Sequence, residues 1–385
     1  MPVYRPHVQS DRTILSIDQT KSQRKKLTKA IVHSNNPEEI CIQTVPQRGC
    51  IVDKVFFVKE SWTRRDFLNV AVAGSIALIS APDSLFAQER KRVSVATGGM
   101  GGVFFVMGGG VASLITKYGG AEAAAEVTAA SVDNCKLIAA KKADIGFVMG
   151  DTGYDAFKGT GNFKGKPLPM RTLTVLYPNL MHVVTVEGKG IKKVADFKGK
   201  RVSTGAPGSG TEVKALRVLE AAGLNPDKDV KKDRLGASES AGALKDGKID
   251  GYFWDGGVPT SSVLDLAASP GVKMMLIPHD DLIPAMIQKY GPVYYKSVIP
   301  KGVYTGITYD TPVAAVGNLL MCNTEMDEKL AYNVLKAVYD HLPELIAIHK
   351  EASNINPKDG ASSKAVPYHK GAQKFFKEKG IDVPT

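Results

Sequence analysis

Two glycine-rich segments carry the residue types that most directly indicate binding chemistry. Residues 97–103 (TGGMGGV) and 205–211 (GAPGSGT) each lie between a short apolar run and a helical pattern. A glycine-rich turn at a helix start leaves several backbone N–H groups unpaired, and the helix dipole adds partial positive charge at the same place. Because such a turn suits a carboxylate or a phosphate, the two segments predict a cradle for a small anionic ligand.

Neither segment fits a nucleotide-binding motif. In the second segment Thr211 occupies the lysine position of a P-loop, and Glu212 follows where Ser or Thr would bind magnesium. In the first segment Phe104 stands where a dinucleotide-binding motif has its third glycine. We therefore expect neither a nucleotide nor another cofactor.

No set of side chains has the spacing of a catalytic or metal site. Ser209 lies between two glycines but not in a nucleophile elbow. Asp151 and Asp255 each end an apolar strand pattern and could face a cleft as paired carboxylates, although capping the next helix is the commoner role. Cys135 and Cys322 fit buried apolar positions, and the sequence leaves open whether they form a disulfide bond. An enzyme that uses either aspartate as an acid or base, and a sensory or interaction module, remain alternative hypotheses.

The composition is that of a folded, soluble chain with a basic surface. The sequence has 385 residues, 43% of them hydrophobic and 23% charged, and a formal net charge of +11. Its basic residues are mixed with acids, as in residues 231–234 (KKDR), and form no basic stripe with interleaved aromatic residues. We expect no nucleic acid partner.

A candidate export leader precedes the folded part of the chain. Residues 61–68 (SWTRRDFL) contain paired arginines, and the apolar residues 67–81 that follow contain no Lys or Arg and are too short to span a bilayer. The pattern resembles a twin-arginine signal peptide. We expect a leader over residues 61–87, a mature protein that does not span the membrane, a periplasmic or other extracytoplasmic location, and a disordered extension over residues 1–60.

The elements that must position the two glycine-rich segments follow one alternating pattern twice. From Arg92 onward short apolar strands alternate with helical patterns, and the alternation restarts near Met181. The sequence thus predicts an α/β fold with two lobes, residues 88–179 plus 310–385 and residues 180–309. The ligand cleft would lie between them, at the carboxyl ends of the strands.

Two local predictions concern the connections. Pro178 and Asn179 interrupt two apolar runs and predict two separate strands with a crossover between them. Residues 327–349 carry one amphipathic pattern and predict a single long helix.

Several segments together resemble one known family. The residues 97–105, 206–212, 246–250 and 256–260, with 176–179 and 366–371, are similar to the hallmark segments of TAXI-type solute receptors, the extracytoplasmic receptors of TRAP transporters. The resemblance covers roughly the whole mature chain. It implies a type II periplasmic-binding-protein fold that closes on a small carboxylate and delivers it to the TRAP membrane permease subunits.

The resemblance also implies ligand contacts from both lobes. The expected ligand-binding residues are Thr97, Gly99, Met100, Gly101, Gly102, Val103, Phe104, Ser131, Asn134, Met149, Asp151, Tyr177, Ser209, Gly210, Thr211, Trp254, Gly256, Gly257 and Pro259.

The chain departs from the family pattern in three places. Phe104 and Phe105 replace residues that are often tyrosine, Met149 replaces a more polar residue, and Trp254 is large for its position. Each change makes the cleft more apolar. A carboxylate with an apolar or aromatic body is therefore an alternative to a glutamate-like ligand.

Overall fold

The structure, a computed structural model, describes residues 30–33, 41–44 and 91–384. The chain divides into two units, residues 1–88 and 89–385. In the first unit β1 (Ala30–His33) pairs with β2 (Cys41–Thr44) as an antiparallel ladder. The predicted leader lies outside the described residues, as does the rest of the predicted extension.

The second unit is a mixed sheet covered by helices. Its ten strands are β3 (Arg92–Ala96), β4 (Glu122–Glu126), β5 (Ile145–Met149), β6 (Met170–Val186), β7 (Arg201–Ser203), β8 (Lys231–Asp233), β9 (Gly251–Gly256), β10 (Met274–Leu276), β11 (Tyr295–Ile299) and β12 (Thr311–Asn323). Its α-helices are α1 (Val103–Tyr118), α2 (Ser131–Ala139), α3 (Gly150–Lys158), α4 (Gly210–Ala221), α5 (Ala237–Lys245), α6 (Ser261–Ala267), α7 (Ile283–Tyr290), α8 (Glu328–Asp340), α9 (Leu342–Ile348), α10 (Pro357–Gly360) and α11 (Lys370–Glu378). Short 3₁₀ turns cover Gly161–Phe163, Val194–Phe197, Asp280–Leu282 and Lys350–Asn354.

The same strand order occurs twice in this sheet. It runs β4-β3-β5-β12 in one half and β8-β7-β9-β6 in the other. In each half the first three strands are parallel to one another. The fourth strand, the long β12 in one half and the long β6 in the other, is antiparallel to them. We call the half built on β3, β4 and β5 lobe 1, and the half built on β7, β8 and β9 lobe 2. The predicted α/β class with two lobes is confirmed.

Two long strands connect the lobes. β6 runs without interruption for 17 residues, through Pro178 and Asn179, so the prediction of two strands with a break between them is wrong. At Pro178 β6 pairs with β12 on one side, while its ladder with β9 begins only at Leu180. Proline is tolerated there because one edge of the strand has no ladder to interrupt. The predicted lobe boundary after residue 179 would fall inside this strand, and the boundaries remain a prediction.

The predicted helix over residues 327–349 is two helices. α8 ends at Asp340 and α9 begins at Leu342, with Pro343 in its first turn. Proline lacks the N–H that a continuing helix would need and is favoured in a first turn. The amphipathic period continues across the break, which is why the pattern alone misses it.

The sheet carries apolar side chains on both faces. Val183 and Phe253 belong to the cluster on one face, and Val184 and Tyr252 to the cluster on the other. Alternation of this kind is expected of strands covered by helices on both sides. Cys135 and Cys322 are buried and free. None of the helices within residues 91–384 has the length and apolarity needed to cross a bilayer.

Candidate functional site

A cavity of about 420 Å³ lies at the carboxyl ends of the parallel strands of both lobes. We call it the cleft cavity. Helices α1, α2, α4 and α5 all begin at its wall. Its lining includes these predicted ligand-binding residues: Gly99, Met100, Gly102, Val103, Phe104, Ser131, Met149, Ser209, Gly210, Thr211, Trp254 and Gly256.

Three predicted residues support the wall of this cavity without lining it. The Asn134 amide donates to the carbonyl oxygens of Thr97 at 2.7 Å and Phe147 at 2.8 Å, so it ties β3 to β5. The Thr97 hydroxyl donates to the Glu126 carbonyl at 2.6 Å and ties β3 to β4. The Gly101 carbonyl accepts from the Ser261 hydroxyl at 3.0 Å, across the cleft.

The other four predicted residues lie deeper, near the connecting strands. Asp151, Tyr177, Gly257 and Pro259 do not line the cleft cavity. A Cβ on Gly257 would approach the Tyr177 ring to 3.0 Å, so only glycine fits between β6 and this loop. The Pro259 carbonyl, which follows a cis peptide bond, accepts a hydrogen bond from His349 Nε2 at 3.1 Å.

A buried glutamate from the C-terminal segment reaches the same loop. Glu351 is 5% exposed, and its carboxylate accepts the Val258 N–H at 3.2 Å. Burial raises the pKa of Glu351 to about 7, against the opposing effect of that N–H. The loop of lobe 2 that follows β9 is thus held by a side chain of the C-terminal segment.

Two lining segments were missed by the sequence reasoning. Residues 127–130 follow β4, and residues 236–239 precede and begin α5. Ala130 has φ 78°, a left-handed conformation that non-glycine residues rarely adopt and that tends to occur at functional sites. Both segments follow a short strand and precede a helix. β4 (EAAAE) has only small alanines between two glutamates and β8 is KKD, so neither strand has the run of large apolar residues that marks a buried strand.

The four helix starts differ in how far their N–H groups are already satisfied. α1 has no side-chain cap and no acidic residue in its first turn. At α4 the Ser209 hydroxyl accepts the Glu212 N–H at 3.0 Å, and the Glu212 carboxylate accepts the Gly208 N–H at 3.2 Å. The first turn of α5 contains Glu239. The positive end of α1 is therefore the least neutralised, and the two glycine-rich segments are not equivalent.

The start of α2 is occupied by the opposite lobe. The N–H groups of Val132 and Asp133 donate to the Gly208 carbonyl at 3.1 and 3.2 Å. A Cβ on Gly210 would come within 2.5 Å of the Met149 sulfur, so the second glycine-rich segment packs directly against lobe 1. These contacts describe a closed cleft.

Two hydroxyl groups of the lining are oriented by backbone donors. Ser131 Oγ accepts the Met149 N–H at 3.1 Å, and Thr211 Oγ1 accepts the Asp255 N–H at 3.3 Å. A hydroxyl that accepts one hydrogen bond still has its own proton to donate. Ser131 and Thr211 can each give that proton to a ligand in the cavity.

The wall contains no cationic side chain. No Lys, Arg or His occurs among the described residues that line the cavity. The Phe104 ring lies 5.5 Å from that of Phe147, and Trp254 Nε1 donates to the Thr260 hydroxyl at 3.0 Å, so both aromatic side chains are held in place. Met100 is 70% exposed at the rim. An anion here would rely on N–H and O–H donors, and the rest of the ligand would meet apolar walls.

The two aspartates are buried in ion pairs, and Asp255 also belongs to the lining of the cleft cavity. Asp255 lies 2.8 Å from Lys214, and both side chains are fully buried. Burial raises the pKa of Asp255 to about 6, while Lys214 acts in the opposite direction. Asp151 accepts from the Tyr294 hydroxyl at 3.0 Å and lies 3.8 Å from Arg217. Nothing in the sequence indicates that Lys214 and Arg217 are buried, since charged residues within a helix usually face solvent.

Metal binding finds no support in the described part of the chain. Within it, no group of three or more His, Cys, Asp or Glu side chains could hold a metal ion.

Comparison with known proteins places this geometry in a family. Among solved structures, a protein of Bordetella bronchiseptica RB50 matches with 16% identity over 76% of this chain and 99% of its own, with a TM-score of 0.49. A binding protein component of a phosphonate ABC transporter from Pseudomonas aeruginosa matches with 11% identity, 68% and 79% coverage and a TM-score of 0.44. The periplasmic aliphatic sulphonate binding protein of Escherichia coli matches with 13% identity, 75% and 90% coverage and a TM-score of 0.35. The model of the NMT1-like family matches residues 95–380, which include the whole cleft cavity, and the chain belongs to that family.

Proposed function

We propose that this chain is the extracytoplasmic solute-binding receptor of a TRAP-type transporter of the TAXI class, which captures a small carboxylate and delivers it to a membrane permease. The observation that carries the proposal is the uncapped start of α1, which opens on a cavity of about 420 Å³ without a cationic side chain. A helix start of this kind stabilises an anion through N–H groups and the helix dipole.

The lining favours a monocarboxylate with an apolar or aromatic body. Phe104, Met149 and Trp254 supply apolar surface, and the start of α1 and the hydroxyls of Ser131 and Thr211 supply hydrogen-bond donors. A second carboxylate would find no cation among these residues. Burying an unpaired charge is costly, so dicarboxylates should bind more weakly.

The burial of the aspartates supports a receptor over an enzyme. The side chains of Asp151 and Asp255 have no solvent exposure. An acid or base must reach its substrate within hydrogen-bond distance. Asp151 does not line the cleft cavity, and the carboxylate of Asp255, a residue that does line it, is already held 2.8 Å from Lys214.

The contacts between the lobes support ligand capture by closure. The hydrogen bonds from Val132 and Asp133 to Gly208, and from Ser261 to Gly101, join the two sides of the cleft. All of them cross the cleft, so separating the lobes would break them together. Such hinge motion about connecting strands is a common way to enclose a ligand.

A binding experiment with matched ligands tests the proposal. Phenylacetate and hexanoate should bind, with succinate and glutamate weaker, as measured by thermal shift and calorimetry. Thr211→Val removes one donor with little change of shape and should weaken phenylacetate binding by roughly 1–3 kcal/mol, because a buried acceptor loses its partner. Thr204→Val, a buried threonine outside the lining, is the matched control. A transport assay tests delivery: uptake of the bound carboxylate should depend on the presence of a TRAP permease.

Three results would count against the proposal. Failure of every carboxylate to bind would remove the ligand class, and equal affinity in Thr211→Val would remove Thr211 from the site. Chemical conversion of a bound carboxylate would favour an enzyme.

A further inference from the structure

A second and larger cavity, of about 900 Å³, lies against the connecting strands β6 and β12. We call it the back cavity. Residues 175–178 of β6 and Leu319 of β12 line it, and it shares no lining residue with the cleft cavity. The two cavities are therefore separate, and the back cavity lies against the strands that join the lobes.

Elements associated with both lobes border the back cavity. Tyr154 belongs to α3 of lobe 1, and Tyr295 belongs to β11, which follows the last helix of lobe 2. The contacts across the cleft, such as the one from Ser261 to Gly101, show that the cleft side is closed. A rotation between the lobes would change the shape of a cavity that elements of both lobes border. The shape described here is the one that accompanies the closed cleft.

The back cavity has several hydroxyl groups without a protein partner. In the described part of the chain, the hydroxyls of Tyr154, Tyr295, Ser297 and Ser353 make no hydrogen bond, and all four residues line the cavity. Each hydroxyl can both donate and accept. The two tyrosines also offer ring surface with a polar tip.

The charge of this lining is balanced. Asp359 and Lys364 are its single acid and single base among the described residues. The Asp359 carboxylate already accepts from the Asn356 amide at 2.7 Å. The lining thus offers hydrogen bonds without a net charge, in contrast to the helix start in the cleft cavity.

We propose that the back cavity binds a neutral polyhydroxylated molecule, a sugar or polyol, and that its occupation favours the closed form of the cleft. Free hydroxyls, amide groups and tyrosine rings match alternating donors, acceptors and apolar ring faces of such a molecule. A ligand that binds the closed form better shifts the equilibrium toward that form. The site does not depend on which molecule occupies the cleft.

Calorimetric titration with maltose, trehalose, sucrose and myo-inositol tests the site directly. At least one of these probes should saturate. The double variant Tyr295→Phe, Ser297→Ala removes two free hydroxyls and should weaken that probe by about tenfold, because each lost hydrogen bond contributes a few-fold. Tyr332→Phe, at a tyrosine that lines neither cavity, should leave the affinity unchanged. Urea denaturation of each variant verifies that it folds as the wild type does.

Coupling is tested with both ligands present. Saturating probe should increase the affinity for phenylacetate, and phenylacetate should increase the affinity for the probe by the same factor, because linkage is reciprocal. Competition between the two would instead place the probe in the cleft and overturn the proposal. So would failure of all four probes to saturate, or an unchanged affinity in the double variant. Independent binding of both ligands would overturn the coupling. If the probe binds but no carboxylate does, the proposed receptor function fails while the back cavity stands.

Discussion

Replacing Glu351 with glutamine tests whether a buried carboxyl group makes the fold sensitive to pH. Glu351 is 5% exposed, and its pKa is raised from an ordinary value of 4.5 to about 7, chiefly by burial. A difference of one unit between the pKa of a group in the folded protein and its pKa in the unfolded chain corresponds to about 1.4 kcal/mol of folding free energy. The difference at Glu351 is therefore worth about 3 kcal/mol of folding stability.

The direction of the effect follows from proton binding. Between pH 4.5 and about 7 the folded protein holds the Glu351 proton more tightly than the unfolded chain does. The stabilisation is complete below pH 4.5 and is lost as the pH rises through 7. The wild type should therefore lose about 3 kcal/mol from this group between pH 4.5 and pH 8, whereas Glu351→Gln, which stays neutral, should not.

Urea denaturation at pH 5, 6, 7 and 8 measures this difference. The free energy of unfolding of Glu351→Gln should rise relative to the wild type as the pH increases. Glu344→Gln is the control, because Glu344 is partly exposed and pairs with Lys117 at the surface. Parallel pH profiles of the wild type and Glu351→Gln would refute the reasoning, since a glutamate that titrates normally contributes no such slope.

Two further predictions concern stability. Gly109→Ala in α1 should raise the free energy of unfolding by about 0.5–1 kcal/mol, since an added Cβ meets nothing within 4 Å. Gly108→Ala should lower it, because its Cβ would come within 2.2 Å of the Thr97 methyl group. Urea denaturation that found both changes destabilising would contradict this. Arg217→Met should cost about 3–5 kcal/mol, because it leaves the Asp155 carboxylate buried without its partner. Lys289→Met, at an exposed ion pair, should cost less than about 1 kcal/mol in the same assay, and equal losses would contradict the importance of burial.

The sequence alone predicts two of the segments that form the cleft cavity. A glycine-rich turn between a strand and a helix is a local pattern, and in a parallel sheet it must lie at the carboxyl end of its strand. The repetition of that pattern at residues 97–103 and 205–211 therefore indicates both lobes and one shared cleft. Phe104, Met149 and Trp254 likewise indicate an apolar lining, because their size and polarity do not depend on the fold.

Only the tertiary structure shows how the two glycine-rich segments differ. Whether an N–H group is free depends on what faces it, and Glu212 and Gly208 satisfy donors at the starts of α4 and α2 while the start of α1 stays uncapped. The burial of Lys214 beside Asp255 depends on contacts between distant parts of the chain in the same way. The continuation of β6 through Pro178 follows from the strand pairing, which leaves one edge of β6 unpaired at that residue. Local patterns determine the type of each element, whereas pairing, burial and charge balance at the site arise from residues that are far apart in sequence and meet only in the folded protein.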